Sequence, residues 1–306
     1  MTYLLFVLGL VGLSVGGEFL VRGAVHVARR LHVPALVIGA TVVGFGTSVP
    51  ELLVSVQAAM SGAPDLALGN VIGSNIANIL LILGVAALIF PVPLRVAELR
   101  LEFMVMIGST AMLWILLLGN KVTRWEGAMM FAALIAYLYF SLRTSAGSAP
   151  PEPSEPEAMP LWRSAGCALG GLVILMVGAR FLVDSSTDIA RTFGVSEAVI
   201  GLTIVAIGTS LPELAASIMA ALRGHSDIAV GNILGSCIFN VLGILGITAM
   251  VTPIPVDPRF AAFDIRVAAV AALVMLGLAF AGRSGRLSGG ILLISYAAYL
   301  VYLGQG

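Results

Sequence analysis

Two short stretches of this 306-residue chain set a carboxylate beside a proline in apolar surroundings: GFGTSVPELLVS at 44–55 and AIGTSLPELAAS at 206–217. A charge at the centre of a bilayer costs about 2.5–3.5 kcal/mol even on the lenient insertion scale, so Glu51 and Glu213 read as functional by default. In a helix, Pro50 cannot donate to the Gly46 carbonyl and its ring clashes there, so the helix kinks or opens. Gly44 and Gly46 loosen the backbone further. Freed carbonyls at membrane depth persist only where protein or a wet cavity satisfies them. Glu51 lies three or four residues from Ser48 and Thr47, so the three share roughly one face. Hydroxyls, carbonyls and a carboxylate are thereby gathered together.

A second set follows in GNVIGSNIAN (69–78), where Ser74 and Asn78 are spaced four apart on one face and Gly69 and Gly73 permit close helix approach. The other half of the chain supplies Thr209, Ser210, Glu213, Ser236 and Asn240. Hard cations such as Ca²⁺ take about six to eight oxygen ligands, and Na⁺ is satisfied by similar groups. Two glutamates balance one divalent ion. They could equally hold two Na⁺, two H⁺, or three Na⁺ at net +1, and a carboxylate in a dry site can itself carry a proton. A lone Ser or Thr in a membrane helix ordinarily bonds only its own backbone, and Gly and Pro are common in such helices. The whole constellation recurring in register outweighs that reading.

The elements that must hold these groups are membrane spans. Hydrophobic residues make up 59% of the chain and charged residues only 10%, against about 25% charged in soluble domains. Apolar runs near span length recur throughout. They predict an all-α polytopic membrane protein of ten transmembrane helices, at roughly 3–21, 33–60, 65–90, 101–119, 124–142, 162–183, 194–222, 226–251, 262–282 and 287–304. The first run starts directly after Met1 and Thr2 with no basic segment or cleavage site, and reads as a retained span. The stretch RTSAGSAPPEPSEPEAMP (143–160) is rich in Pro, Ser and Glu and reads as a flexible linker.

The chain thus divides into a first five-helix repeat (1–142, motif region 39–90), a cytoplasmic linker (143–161) and a second repeat (162–306, motif region 201–252). GGEFLVRGAVHVARRLHVPALVIGATVVGFGTSVPE (16–51) aligns without a gap on GARFLVDSSTDIARTFGVSEAVIGLTIVAIGTSLPE (178–213), and 65–84 on 227–246, always 162 residues apart. Five spans is an odd number, so the second copy must enter the membrane upside down, as in many transporters. Ten of the Arg and Lys residues fall in loops after odd-numbered spans and six after even-numbered ones. That bias places both termini outside and the linker in the cytoplasm.

Other residues read more plainly. Glu18 and Arg22, which correspond to Arg180 and Asp184, are pairing charges at span ends. His26, His32 and His225 fall in or beside loops and are solvated. Cys167 and Cys237 are packing residues, since metal motifs need clustered ligands. With zero formal net charge there is no basic footprint for nucleic acid, and nothing points to a protein partner or a cofactor. An intramembrane hydrolase using Ser48 or Ser210 would need a His or Lys base in the membrane, and Lys121 is the only lysine. A selective channel would not need the duplicated, kinked design.

GTSVPE with GNVIGSNIAN, and GTSLPE with GNILGSCIFN, resemble the paired α-repeats of the cation/Ca²⁺ antiporter superfamily, most closely its prokaryotic Na⁺/Ca²⁺ exchanger branch. The resemblance implies ten helices with the second and third spans of each half packed around a line of cation sites. By that likeness Glu51 and Glu213 bridge Ca²⁺ together with Thr47 and Thr209. Ser48, Ser74 and the Gly44 carbonyl would serve one Na⁺ site, and Ser210, Ser236 and the Ala206 carbonyl its counterpart. Asn78 and Asn240 would line the middle, and the first and sixth spans would slide across the core to alternate access. Ca²⁺ and Na⁺ are the implied transported ions, in a prokaryotic cytoplasmic (inner) membrane, and a Ca²⁺/H⁺ or other divalent-cation antiporter is the near rival. An Asp at one central Asn position accompanies K⁺ dependence in one branch; both are Asn here, so K⁺ is not an expected substrate. Cys237 stands where the first copy has Asn75.

Overall fold

Charge does not by itself end a helix. In a computed structural model describing residues 1–94, 96–145, 159–195, 204 and 206–305, α1 (Thr2–Leu31) continues past the apolar stretch expected at 3–21, through Glu18, Arg22, Arg29 and Arg30. It stops where His32 turns left-handed (φ 53°, ψ 40°), just ahead of Pro34. His26 therefore lies within the last turns of α1, half-buried, and not in a loop.

The second span is broken. α2 (Ala35–Thr47) and α3 (Val49–Met60) meet at a 43° bend, where Ser48 leaves helical geometry (φ −87°, ψ 6°). Pro50 sits in the first turn of α3, the one part of a helix that tolerates its missing N–H. There follow α4 (Pro64–Ile89), α5 (Arg100–Leu117), α6 (Arg124–Ser145) and α7 (Leu161–Thr192). α6 runs three residues into the stretch read as linker; residues 146–158, most of that linker, lie outside the described residues. The seventh span, expected at 194–222, is described as a turn at Ala206–Gly208 and α8 (Leu211–Leu222), with 196–203 and 205 outside the described residues. α9 (Ser226–Val251), α10 (Phe260–Phe280) and α11 (Arg286–Gln305) complete the chain.

Among the described residues, eight helices are long and apolar enough to cross a membrane, or nine with α2 and α3 counted as one bent span. α4 and α9 form the centre: 72% and 89% of their apolar windows are buried, against 17–39% for the other six long spans. Both widen into looser turns with i→i+5 bonding, at Asn78–Ile82 and Phe239–Leu245.

Contacts between the two halves come in reciprocal pairs. Two short strands, β1 (Val92–Pro93) and β4 (Arg283–Ser284), pair antiparallel, and so do β2 (Lys121–Val122) and β3 (Ile254–Pro255). Val92 faces Ser284 while Val122 faces Ile254, so each pair maps onto the other when 162 is added to one partner and subtracted from the other. The flanking bonds obey the same rule: Leu94 N–H donates to the Gly282 carbonyl and Val256 N–H to the Asn120 carbonyl, both at 3.1 Å.

α1 and α7 lie backbone against backbone. A Cβ on Gly16 would stand 2.5 Å from the Leu175 nitrogen, and one on Gly171 would stand 2.3 Å from the Leu20 nitrogen. Small residues at such a seam let helices gain van der Waals contact without a hydrophobic driving force. The pairing charges are observed: Glu18 accepts from Arg223 at 2.6 Å and stands 3.7 Å from Arg22, and Arg180 lies 3.7 Å from Asp184.

Candidate cation-binding site

The helix break aims both glutamates inward. Glu51 occupies the first turn of α3 and Glu213 the first turn of α8, where Ser210 (φ −90°, ψ 6°) repeats the geometry of Ser48. Unpaired N–H groups at a helix start favour negative charge there. Each carboxylate is clamped by the other half. Ser48 Oγ donates to Glu213 Oε1 at 2.9 Å, and Ser210 Oγ donates to Glu51 Oε1 at 3.4 Å. The two carboxylates also interact electrostatically.

The backbone behind each glutamate is held by an asparagine that reading the sequence for ligands passed over. Asn70 Nδ2 donates to the Glu51 carbonyl (3.1 Å) and Ser55 Oγ (2.9 Å). Asn232 Nδ2 donates to the Glu213 carbonyl (3.2 Å) and Ser217 Oγ (2.9 Å). The signal was present in the GN pair that opens both copies of the second motif.

On the glutamates and central asparagines, four buried oxygens have no hydrogen-bond donor: Glu51 Oε2, Glu213 Oε2, Asn78 Oδ1 and Asn240 Oδ1. All four residues are within 1% of full burial. Ionised carboxylate and amide oxygens are acceptors only, and a buried acceptor left unmet costs about 1–3 kcal/mol. Unmet acceptors of this kind are what a desolvated cation requires.

The second set of residues orients the asparagines. Asn240 Nδ2 donates to Asn75 Oδ1 at 3.0 Å, while Asn75 Nδ2 donates to the Cys237 carbonyl at 3.2 Å. Cys237 is the repeat counterpart of Asn75, and its Sγ lies 4.0 Å from the Asn75 carbonyl oxygen.

The remaining expected ligands are placed as follows. Thr47 Oγ1 is buried, 3.0 Å from the Val43 carbonyl and 3.2 Å from Asn232 Oδ1. Its single proton serves one of these, and its lone pairs stay available. Ser236 Oγ lies 3.5 Å from the Gly44 carbonyl, so that carbonyl meets a hydroxyl of the opposite half. Ser74 and Thr209 line a cavity of about 230 Å³. Ala206 opens the short turn before α8.

A family model described as "Sodium/calcium exchanger protein" matches residues 1–143 and 163–305. The chain belongs to the sodium/calcium exchanger protein family. The sodium/calcium exchanger MaX1 of Methanosarcina acetivorans is 31% identical over 342 residues, covering 98% of each chain. The inner membrane protein YrbG of Escherichia coli (strain K12) is 34% identical over 308 residues, covering 98% of this chain and 94% of its own. The solved structure of the sodium-calcium exchanger NCX_Mj, soaked with zero Na⁺ and Ca²⁺, superposes with a TM-score of 0.87 at 31% identity, covering 99% of this chain and 98% of that one.

As a family member this is a multi-pass membrane antiporter of the cation/Ca²⁺ class and not an enzyme. In this exchanger-family chain the two halves of the second motif differ in their surroundings. Gly231 and Gly235 on α9 allow the close approach expected of such glycines: a Cβ there would fall 2.2 Å from the Leu36 carbonyl oxygen and 2.1 Å from that of Ala40. Gly69 and Gly73 on α4, expected to do the same, line the cavity instead.

Proposed function

We propose that this exchanger-family chain moves Ca²⁺ against Na⁺ by alternating access, with Glu51 and Glu213 shared between the two ions. The observation that carries the reading is the set of four buried, donor-free oxygens on residues from both halves. Two carboxylates and two amide oxygens suit a hard divalent ion, and Thr47, Thr209, Ser48, Ser210, Ser74, Ser236 and the Gly44 and Ala206 carbonyls supply neutral oxygens for monovalent ones. Ca²⁺ and Na⁺ are substrates here, and no cofactor takes part. Na⁺ as the driving ion is supported by two relatives named as sodium/calcium exchangers.

The reading includes the architecture: two inverted five-span repeats, 1–142 and 162–306, joined by the linker 143–161. The reciprocal strand pairs and the reciprocal serine–glutamate bonds support it, since contacts of that kind follow from a two-fold relation between copies 162 residues apart. The protein is assigned to a cytoplasmic membrane with both termini outside. Its Arg and Lys distribution and the name of YrbG support that assignment.

The test is ⁴⁵Ca²⁺ uptake into proteoliposomes under separated gradients. Vesicles loaded with Na⁺ and diluted into Na⁺-free buffer at equal pH are expected to accumulate Ca²⁺. Vesicles given only a pH difference are not. Uptake driven by the proton gradient alone would make the glutamates proton carriers and replace Na⁺ by H⁺.

A further inference from the structure

Outside the central site, two acidic side chains, Asp264 and Glu102, are buried where nothing in the exchange mechanism uses them. Asp264, at the start of α10, is 3% exposed. Its Oδ1 accepts from the Tyr299 hydroxyl at 3.0 Å, while Oδ2 has no hydrogen-bond donor. The nearest charge is the exposed Arg259, whose Nε stands 3.7 Å from Oδ2, too far for a hydrogen bond. Asp264, Tyr296, Tyr299 and Arg259 line one part of the 230 Å³ cavity, and Asn70, Ser74 and Thr209 line another. That volume holds several waters. One cavity, its lining mostly apolar, thus touches both the exposed guanidinium and residues that hold or flank the central oxygens.

The acid and the tyrosine recur in the first copy, where the Tyr137 hydroxyl has no hydrogen-bond partner. Glu102 and Tyr137 precede Asp264 and Tyr299 by 162 residues each. Glu102 is also 3% exposed and interacts electrostatically with Tyr137. A buried acid kept in both copies, away from the central glutamates, points to a use shared by both halves.

We propose that Asp264 is a second, outlying cation site at the mouth of this cavity, holding a partly hydrated Ca²⁺ or Na⁺ in transit, with Arg259 as the counter-ion it displaces. The proposal rests on the antiporter reading. One carboxylate with hydroxyl neighbours suits a weak, partly hydrated site, because a single charge does not neutralise a divalent ion. Among the described residues Arg259 is the one other charge lining the cavity, so attraction of a cation depends on the guanidinium moving off Asp264 and weakens as salt rises. Under the inverted-repeat arrangement Glu102 plays the same part when the site faces the other way.

The test measures Na⁺-driven Ca²⁺ uptake in right-side-out and inverted membrane vesicles, titrating Ca²⁺ at low and high choline chloride. Asp264→Asn is expected to raise the half-saturating Ca²⁺ about threefold or more in one vesicle orientation only, to keep the maximal rate, and to lose the salt dependence. Asp264→Glu should stay near wild type. Arg259→Gln should lower the half-saturating Ca²⁺ from the same side, and Glu102→Gln should raise it from the opposite side. An equal shift in both orientations, or none, would overturn the proposal, as would a loss of maximal rate alone, which marks a packing role. Binding is read independently of transport. Mn²⁺ retained by the Glu51→Gln/Glu213→Gln protein, followed through the electron paramagnetic resonance amplitude of free Mn²⁺, should disappear on adding Asp264→Asn. Retention of that Mn²⁺ sinks the second site. Absence of Ca²⁺ exchange by the wild-type protein under any gradient sinks the antiporter reading instead.

Discussion

Glu51 and Glu213 each use one oxygen on a serine of the opposite half and leave the other bare. Removing one charge leaves a single carboxylate facing a divalent ion in a buried site. Breaking a buried pair in that way costs about 3–5 kcal/mol, more than a hundredfold at about 1.4 kcal/mol per decade. Glu51→Gln and Glu213→Gln are therefore each expected to abolish ⁴⁵Ca²⁺ exchange while the purified protein elutes as the wild type does on size exclusion; normal transport by both would refute the site. Asn75 acts one step out, accepting from Asn240 and so leaving Asn240 Oδ1 free for a cation. Asn75→Ala strands the Asn240 amide at a cost of about 1–3 kcal/mol and should raise the half-saturating Ca²⁺ about tenfold in the same assay, and an unchanged value would remove Asn75 from the site. The glutamates and central asparagines were legible in the sequence because a buried charge and an in-register duplicate are conspicuous in an apolar chain. Asn70, Asn232 and Asn75 were not, because their work is to hold backbone and amide groups whose positions depend on how α3, α4, α8 and α9 pack. Asp264 was hidden by its place at a span end, where charge is ordinary.

Elements carry the next level of specification. Pro50 foretold the break between α2 and α3, since its ring and missing N–H act locally. The extent of α1 was not foretold: charged residues end an apolar run, but helical hydrogen bonding continues to the left-handed His32. Glycines were readable as close-approach residues, but not which of them would meet a neighbour. Gly231 and Gly235 do, whereas Gly69 and Gly73 face the cavity, a difference that depends on conformation and is invisible in two copies of one motif. The α1–α7 seam gives a matched comparison. A Cβ on Gly16 overlaps the Leu175 backbone, while one on the exposed Gly170 of α7 meets nothing within 4 Å among the described residues. Gly16→Ala should cost about 1–3 kcal/mol through overpacking, seen as a lower melting temperature and slower exchange. Gly170→Ala, the same chemical change, should leave both within error or raise the melting temperature slightly through helix propensity. Equal effects from the two would mean that α1 and α7 do not pack as a glycine seam.

At the scale of the whole molecule the proposed inverted arrangement would make the two halves interchangeable in outline but unequal at any moment. Thr47 of the first half bonds Asn232 of the second, while their counterparts, Thr209 and Asn70, line an open cavity. In the proposed arrangement, ten spans with an odd number in each repeat would bring the N-terminus and the C-terminus to the same face and put the connection between halves on the opposite one. The proposed orientation, which rests on the Arg and Lys distribution, makes that opposite face cytoplasmic. Alkaline phosphatase fused after Gly306 should therefore be active and a fluorescent protein fused there dark, whereas a protease site inserted in 146–158 should be cut only from the cytoplasmic side. If the phosphatase is inactive and the protease site is cut from outside, the molecule is turned over but its internal arrangement stands. If both report the same side of the membrane, the number of spans after the linker is even, the second copy cannot be inverted relative to the first, and the two-fold relation behind the shared site fails.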